Sequence, residues 1–202
     1  MQEELYPEFN LIINKQKGVS PVGEETKIIA RYVAKVKPSS ALDMGCGTGF
    51  IPIYLKTQGI DCEGADINEN AINLATENAK TNNVSITLHH SDLFQNINKT
   101  YDCIIFNAPY GNVSSGTGSK MLEYVKSFIP KGTIITKITY LFIRKRRKAL
   151  TRKFLEEAKP HLNENGKIIL LMDPYELDLL KKYTTIEPFL GGKIVCIEGE
   201  NL

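Results

Sequence analysis

Two apolar rhythms take turns along the chain, one helical and one strand-like. From Glu24 to Val36 the positions Ile28, Ile29, Tyr32, Val33 and Val36 follow helical spacing, and Pro38 stops the run. Residues 41–44 are a short apolar run ending in glycines, which predicts a strand. Residues 50–57 predict a short helix, with Pro52 tolerated in its first turn. Residues 62–65 predict the next strand. Residues 68–80 predict a helix capped by Asn68, with Ala71, Ile72, Ala75 and Ala79 as its inner stripe. Strands are expected at 84–88 and 101–106. A basic amphipathic helix is expected at 144–161, buried through Ala149, Leu150, Phe154, Leu155 and Ala158. A strand at 167–172 follows the turn Asn165-Gly166, and a helix follows at 175–182. Strands at 184–187 and 193–197 flank Gly191-Gly192.

Strands that alternate with helices imply a parallel sheet covered on both faces. The last two strands are joined by too few residues for a crossover helix, so they pair as an antiparallel hairpin. The expected fold is α/β and Rossmann-like: a seven-stranded, mostly parallel sheet with a C-terminal antiparallel hairpin. Residues 1–202 read as one domain, with 1–23 a covering segment of no strong period. Residues 110–143 fit the alternation least. Their Gly/Ser part, 111–119, reads as a loop, and the β-branched and aromatic residues of 133–143 suggest an extra strand or hairpin.

The chain's 202 residues suffice for one well-buried α/β core. A net charge of +2 does not by itself argue for a nucleic-acid or membrane partner. No apolar run approaches the ~18 residues of a membrane helix. Residues 1–10 hold three glutamates and lack the basic start and apolar stretch of a signal peptide, so a cytoplasmic protein is expected. Cys46, Cys62, Cys103 and Cys196 form no C-x-x-C pair. They read as reduced, mostly buried thiols, and no metal site is expected.

The chemistry begins at Leu42-Asp43-Met44-Gly45-Cys46-Gly47-Thr48-Gly49, after a strand and before a helix. Open parallel sheets bind ligands beyond the C-terminal ends of their strands, and glycines there let a backbone approach a ligand at positive φ. The spacing G-x-G-x-G departs from the dinucleotide G-x-G-x-x-G. Asp43 would repel a pyrophosphate, yet it can hold the ammonium group of a methionine moiety. That favours S-adenosylmethionine (SAM) over a nicotinamide dinucleotide. Asp66 ends the second strand, where a carboxylate accepts both ribose hydroxyls. Asp92 follows the third strand and can accept the exocyclic amine of adenine, with Ile67 and Leu93 flanking the ring. A lone glycine turn is often only a tight strand–helix connection; three carboxylates at successive strand ends make that reading poor.

After the fourth strand comes Asn107-Ala108-Pro109-Tyr110. An amide or aromatic amine nitrogen is a weak nucleophile because its lone pair is delocalised. Acceptors that hold its N–H hydrogens turn that lone pair toward a methyl carbon. The Asn107 side-chain carbonyl and the Ala108 backbone carbonyl can be those acceptors. Pro109 keeps Ala108 out of the α region, and Tyr110 offers a flat face to a planar group. Asn107 and Tyr110 are therefore the candidate catalytic residues, acting by position and fixed dipoles. The plain alternative is a turn after a buried strand, where Asn and Pro are common.

LDMGCGTGF at 42–50, Asp66, SDLF at 91–94 and NAPYG at 107–111 together resemble the class I SAM methyltransferases that carry an N-P-P-Y motif. The chain is most similar there to the HemK/PrmC group of protein-glutamine N5-methyltransferases, which modify translation release factors. GVSPVGEET at 18–26 is similar to the stretch leading into their first helix. The resemblance runs over residues 18–110, then resumes at 154–172 and the final hairpin. It implies SAM contacts at Gly45, Cys46, Gly47, Thr48, Gly49, Asp66, Asp92, Leu93 and Asn107. It implies substrate contacts at Asn107, Ala108, Pro109 and Tyr110. Three departures stand out: Ala108 replaces the motif's first proline, the bacterial N-terminal helical domain has no counterpart, and the Glu-Pro and Gly-Gly signatures after Tyr110 are missing. The second of these looks like the compact archaeal and eukaryotic type, which often works with a small zinc-binding activator subunit.

Residues 144–153 carry seven positive charges: Arg144, Lys145, Arg146, Arg147, Lys148, Arg152 and Lys153. They read either as the solvated face of a helix or as a phosphate-binding patch. The first-choice acceptor is a protein glutamine of release-factor type. The alternatives are an adenine or guanine base in RNA or DNA, a small metabolite, and a SAM-binding scaffold without chemistry.

Overall fold

The computed structural model describes residues 2–107, 134–189 and 192–202. The chain opens with the antiparallel hairpin β1 (Gln2–Tyr6) and β2 (Leu11–Lys15). It continues through α1 (Glu24–Val36), β3 (Ser40–Met44), α2 (Phe50–Thr57), β4 (Asp61–Asp66), α3 (Glu69–Thr81), β5 (Leu88–His90) and β6 (Tyr101–Phe106). After the interval at 108–133 come α4 (Ile134–Ala158), β7 (Leu162–Met172), β8 (Thr184–Phe189) and β9 (Gly192–Glu198). Strands β3 to β9 form one seven-stranded sheet in the order β5-β4-β3-β6-β7-β9-β8. The first five strands of that order run parallel. Strand β9 pairs antiparallel with both β7 and β8. The expected Rossmann-like α/β architecture with its C-terminal antiparallel strands is therefore the observed one.

Alternation along the buried strands splits the core into two layers. Ala41, Cys103, Ile105, Ile169 and Leu171 face a layer shared with α1, α2 and the N-terminal hairpin. Leu42, Met44, Ile104, Phe106, Ile168 and Leu170 face a layer built with Phe154, Leu155 and Ala158 of α4. Phe106 and Phe154 stack at 4.2 Å, which fixes the end of β6 against α4.

The strand order reverses between β3 and β6. From β3 the chain steps outward through β4 and β5, then returns to the other side for β6 and β7. Such a reversal leaves a crevice at the strand ends, because the two following loops turn to opposite faces. Met44 and Phe106 are register partners there.

Several expectations change. Residues 1–23 do not form a mere covering segment, because 2–15 build the β1–β2 hairpin. Its Tyr6 and Phe9 meet Phe50 edge-on at 5.2 and 4.9 Å, and Leu11 and Ile13 are buried. The strand expected at 84–88 is reduced to Leu88–His90, since Val84 N–H still donates to Ala79 at the end of α3. The extra strand or hairpin expected at 133–143 is instead the start of α4, whose single helix begins at Ile134. That helix yields to a 3-10 turn at Lys159–His161, where Pro160 falls. Asn165, at φ +62°, bulges within β7 against Tyr101–Cys103. The helix expected at 175–182 is a 3-10 segment, Pro174–Leu179. On α3, Leu74 and Asn78 join Ala71, Ala75 and Ala79 on the buried face, while Ile72 is half-buried. All four cysteines are free and buried. The loop expected at 111–119 lies outside the described residues.

Candidate functional site

The glycine loop caps β3 at the switch point. Gly45, Gly47 and Gly49 hold φ of +77°, +54° and +78°, which favours glycine at each. Gly49 also meets a packing limit, since a Cβ there would lie 2.8 Å from the Ala75 Cβ on α3. A Cβ at Gly45 would meet nothing within 4 Å, so that backbone borders open space.

The loop's amides are mostly engaged within the protein. Gly45 and Cys46 N–H donate to Ala65 carbonyl at 2.7 and 2.9 Å, and Gly49 N–H donates to Cys46 carbonyl at 2.9 Å. Gly47 N–H donates to Asp66 Oδ2 at 3.0 Å. Phosphate-binding loops keep such donors for an anion. This loop has spent four of them and is bordered by carboxylates, so it suits a cationic ligand.

Asp43 lies directly beneath the loop and is 2% exposed. Burial, with the charge of Asp66 second, pushes its carboxyl up to about 8. Asp66 also lies above the usual carboxylate range, mainly through burial, and is opposed by N–H bonds from Asn68 and Gly47. Its Oδ1 accepts Asn68 N–H at 2.8 Å. Asp66 Oδ1 and Oδ2 thus each accept a backbone N–H, and a carboxylate has further lone pairs with which to accept hydroxyls. Asn68 caps α3 by accepting Asn70 N–H at 3.1 Å, and its own amide donates to Gly18 carbonyl at 3.1 Å. The 18–20 segment is thereby held over Gly47, with Ser20 carbonyl 3.9 Å from where a Cβ at Gly47 would be.

The two residues expected to flank a flat ring behave differently. Ile67 is 57% exposed and presents free apolar surface. Leu93, at φ +48°, is buried in the layer beneath α4, so its side chain flanks nothing open. Asp92 is half-exposed and faces Lys153 Nζ at 3.7 Å.

Asn107 follows β6, next to the glycine loop across the β3–β6 pair. Its Nδ2 donates to Thr26 Oγ1 on α1 at 3.0 Å. One of its two N–H donors is thus used, and among the described residues the side-chain carbonyl has no partner, so it can accept an incoming N–H donor. Ala108, Pro109 and Tyr110 lie outside the described residues.

The basic helix is partly structural. Arg147 and Thr151 take the inner positions expected of Ala149 and Leu150, which are exposed. Arg147 Nε donates to Glu176 Oε2 at 2.9 Å, and Thr151 Oγ1 donates to Glu176 Oε1 at 2.6 Å. Glu176 is fully buried. Lys148 pairs with Asp178 at 2.5 Å, and Lys153 faces both Asp92 and Glu157. Arg144 stacks on the Tyr175 ring at 4.0 Å. Exposed cations remain at Lys145, Arg146 and Arg152.

Three polar side chains at the site were not foreseen from sequence. Thr26 was visible only as part of GVSPVGEET, and its 81-residue separation from Asn107 hid the bond. Lys153 was read as one of a charge run. Asn78 falls within the helix predicted at 68–80 with no role assigned, and its amide reaches the Thr48 carbonyl at 2.9 Å.

The family model described as the methyltransferase small domain matches residues 15–135. A Methanocaldococcus jannaschii protein provisionally named a protein N5-glutamine methyltransferase is 42% identical over 88 residues, 43% of this chain and 45% of that one. The release factor glutamine methyltransferase of Streptococcus pneumoniae is 35% identical over 133 residues, 65% of this chain and 44% of that one. The chain spans about half the length of these curated relatives. Among solved structures, the 16S rRNA N2 G1207 methyltransferase of T. thermophilus, in complex with AdoMet and guanosine, superposes with a TM-score of 0.65 at 15% identity. It covers 93% of this chain and 47% of that one.

Proposed function

From the premise that the chain belongs to the methyltransferase small domain family, we propose that it is a SAM-dependent N-methyltransferase whose first-choice acceptor is a protein glutamine of release-factor type. The observation that carries this reading is the pairing of a cation-suited glycine loop with an amide carbonyl at the neighbouring strand end. Asp66 already bonds the loop, and Thr26 accepts one N–H of Asn107 and so orients its amide.

The residues present fit SAM. Its ammonium matches Asp43, its ribose hydroxyls match the spare lone pairs of Asp66, and its adenine matches the exposed face of Ile67 and the carboxylate of Asp92. Gly45, Cys46, Gly47, Thr48 and Gly49 supply the close backbone approach. Bound SAM supplies a sulfonium-activated methyl group. The protein's task is then to hold the acceptor. Asn107 carbonyl accepts one N–H of the acceptor nitrogen, and a second acceptor is assigned to the Ala108 carbonyl. The aromatic ring of Tyr110 suits a planar group and Pro109 suits a turn by residue type, both lying outside the described residues. No strong base is required, since a nitrogen that gains a methyl group becomes acidic enough to lose its proton to water.

The names of the two relatives favour glutamine. A base in ribosomal RNA is the second reading, favoured by the exposed Lys145, Arg146 and Arg152. A small activator subunit and a cytoplasmic setting belong to the first reading; among the described residues, no helix is long and apolar enough to cross a membrane.

Radiolabelled SAM incubated with release factor, ribosomal RNA, DNA and a metabolite extract separates these readings. The first reading expects label in the release factor, lost in Asn107→Ala. Label in RNA that depends on Lys145, Arg146 and Arg152 replaces it with the second. Tight SAM binding with no label in any acceptor leaves a scaffold.

A further inference from the structure

The outer edge of β2 has an unusual partner. One edge of this strand pairs with β1. Along the other, the side chains of Asn78 on α3 and of Asn82 at its C-cap stand in for a third strand. Asn82 Oδ1 accepts Ile12 N–H at 2.9 Å, and its Nδ2 donates to Ile12 carbonyl at 2.7 Å. One helical turn earlier, Asn78 Oδ1 accepts Asn14 N–H at 2.7 Å, and its Nδ2 donates to Asn14 carbonyl at 3.2 Å. Side-chain amides four residues apart, one in the last turn of α3 and one at its C-cap, thus bond alternate residues of an extended strand.

Each Nδ2 has a second acceptor. For Asn82 it is the Asn78 carbonyl at 2.7 Å, within the same helix end; for Asn78, the more deeply buried of the two, it is the Thr48 carbonyl at 2.9 Å. Thr48 lies in the glycine loop and is itself buried. The orientation of the Asn78 amide is not ambiguous: a backbone N–H must meet its oxygen, and two backbone carbonyls must meet its nitrogen. The side chain is fully buried, with both N–H donors used and its oxygen accepting one N–H. A group so placed is costly to leave unmatched, because neither water nor another side chain can replace the lost partner.

We infer that Asn78 is a positioning residue for the cofactor loop: it ties the Thr48 carbonyl to the N-terminal hairpin and holds the loop in its binding geometry. The hairpin is thereby part of the SAM site without touching the ligand. Its second hold on the same loop is the packing of Tyr6 and Phe9 on Phe50, the first residue of α2 after Gly49. The inference rests on the SAM reading above.

Asn82 is the built-in control, as it fastens the same hairpin to the same helix but has no bond to the loop. SAM affinity is measured by calorimetry for the wild-type chain, Asn78→Ser and Asn82→Ser, with melting temperatures recorded alongside. Both variants should melt earlier. Only Asn78→Ser should bind SAM more weakly, by about tenfold, the affinity equivalent of one net hydrogen bond. Asn82→Ser should bind as wild type. Equal loss in both variants, or unchanged binding in Asn78→Ser, overturns the inference. If Asn78→Ser does not fold, amide exchange in the wild-type chain decides. SAM should then slow exchange at Asn14 N–H more than at Ile12 N–H, and equal or absent slowing overturns the inference. A wild-type chain that gives no binding heat with SAM has a different signature: it overturns the cofactor reading and this inference with it.

Discussion

Asp43 offers the sharpest test of the site's electrostatics. Its carboxyl is pushed from 3.8 up to about 8, first by burial and second by the charge of Asp66. A raised carboxyl holds its proton in the fold while the unfolded chain has lost it. Between about pH 4 and 8 the native state therefore binds more protons, and stability falls as pH rises. The contribution is complete below the unfolded value of 3.8 and is lost as pH climbs through about 8. The slope approaches ~1.4 kcal/mol per pH unit, so at pH 7 the accumulated cost is about 4 kcal/mol. Asp43→Asn carries no proton and escapes the slope. Urea unfolding of both proteins at pH 5, 6, 7 and 8 should show the variant gaining on wild type at each step. Ligand binding must act in the opposite sense. An ammonium group beside Asp43 favours the carboxylate, so SAM binding should release a proton and tighten with pH below about 7, by up to about tenfold per unit. Calorimetry in two buffers of different ionisation enthalpy counts that proton, and Asp43→Asn should release none. A stability difference independent of pH would mean that Asp43 is already ionised in the fold, and the reasoning would fail.

Other consequences are simpler. Gly49→Ala combines a positive φ with a Cβ contact of 2.8 Å on Ala75, so it should cost about 2–4 kcal/mol in chemical unfolding; a cost under about 1 kcal/mol would show that α3 moves away freely. Arg147→Met leaves Glu176 buried without its guanidinium and should lose about 3–5 kcal/mol. Replacing Glu176 by Met in the same chain should restore part of that loss in a double-mutant cycle. Thr26→Val removes the oxygen that occupies Asn107 Nδ2. It should lower kcat about ten- to a hundredfold, with a smaller change in KM for SAM, while Thr26→Ser should retain most activity. Equal behaviour of the Val and Ser variants would remove Thr26 from the account.

What could be read along the chain was whatever local chemistry decides. The strands at 101–106 and 167–172 are near-continuous apolar runs because both faces of the sheet are covered. The glycine loop was legible because three positive backbone angles in five residues favour glycine. The hairpin at 2–15 was illegible because few of its residues turn inward and one edge is satisfied by Asn78 and Asn82, whose partners lie 64 and 70 residues away. The β-branched residues after Ile134 pointed to a strand, yet they continue into a helix that Phe154, Leu155 and Ala158 anchor in the core. Val84 and Ile86 are apolar enough for a strand, but they pack against the core without joining the ladder.

The same division explains the site. Residue types were legible at each strand end, but their chemical states were not. Asp43 was identified as a carboxylate able to meet an ammonium, whereas its tendency to stay protonated follows from burial and from Asp66 on the next strand. Asn107 was identified as a source of one carbonyl, whereas the occupancy of its nitrogen depends on a threonine in the first helix. Asp92 was identified as an acceptor, yet it already faces a lysine from α4. A motif therefore specifies which atoms a site can offer. The packing of distant elements decides which of those atoms are free and in what charge state, and that selection separates a loop built for a cation from one built for a phosphate.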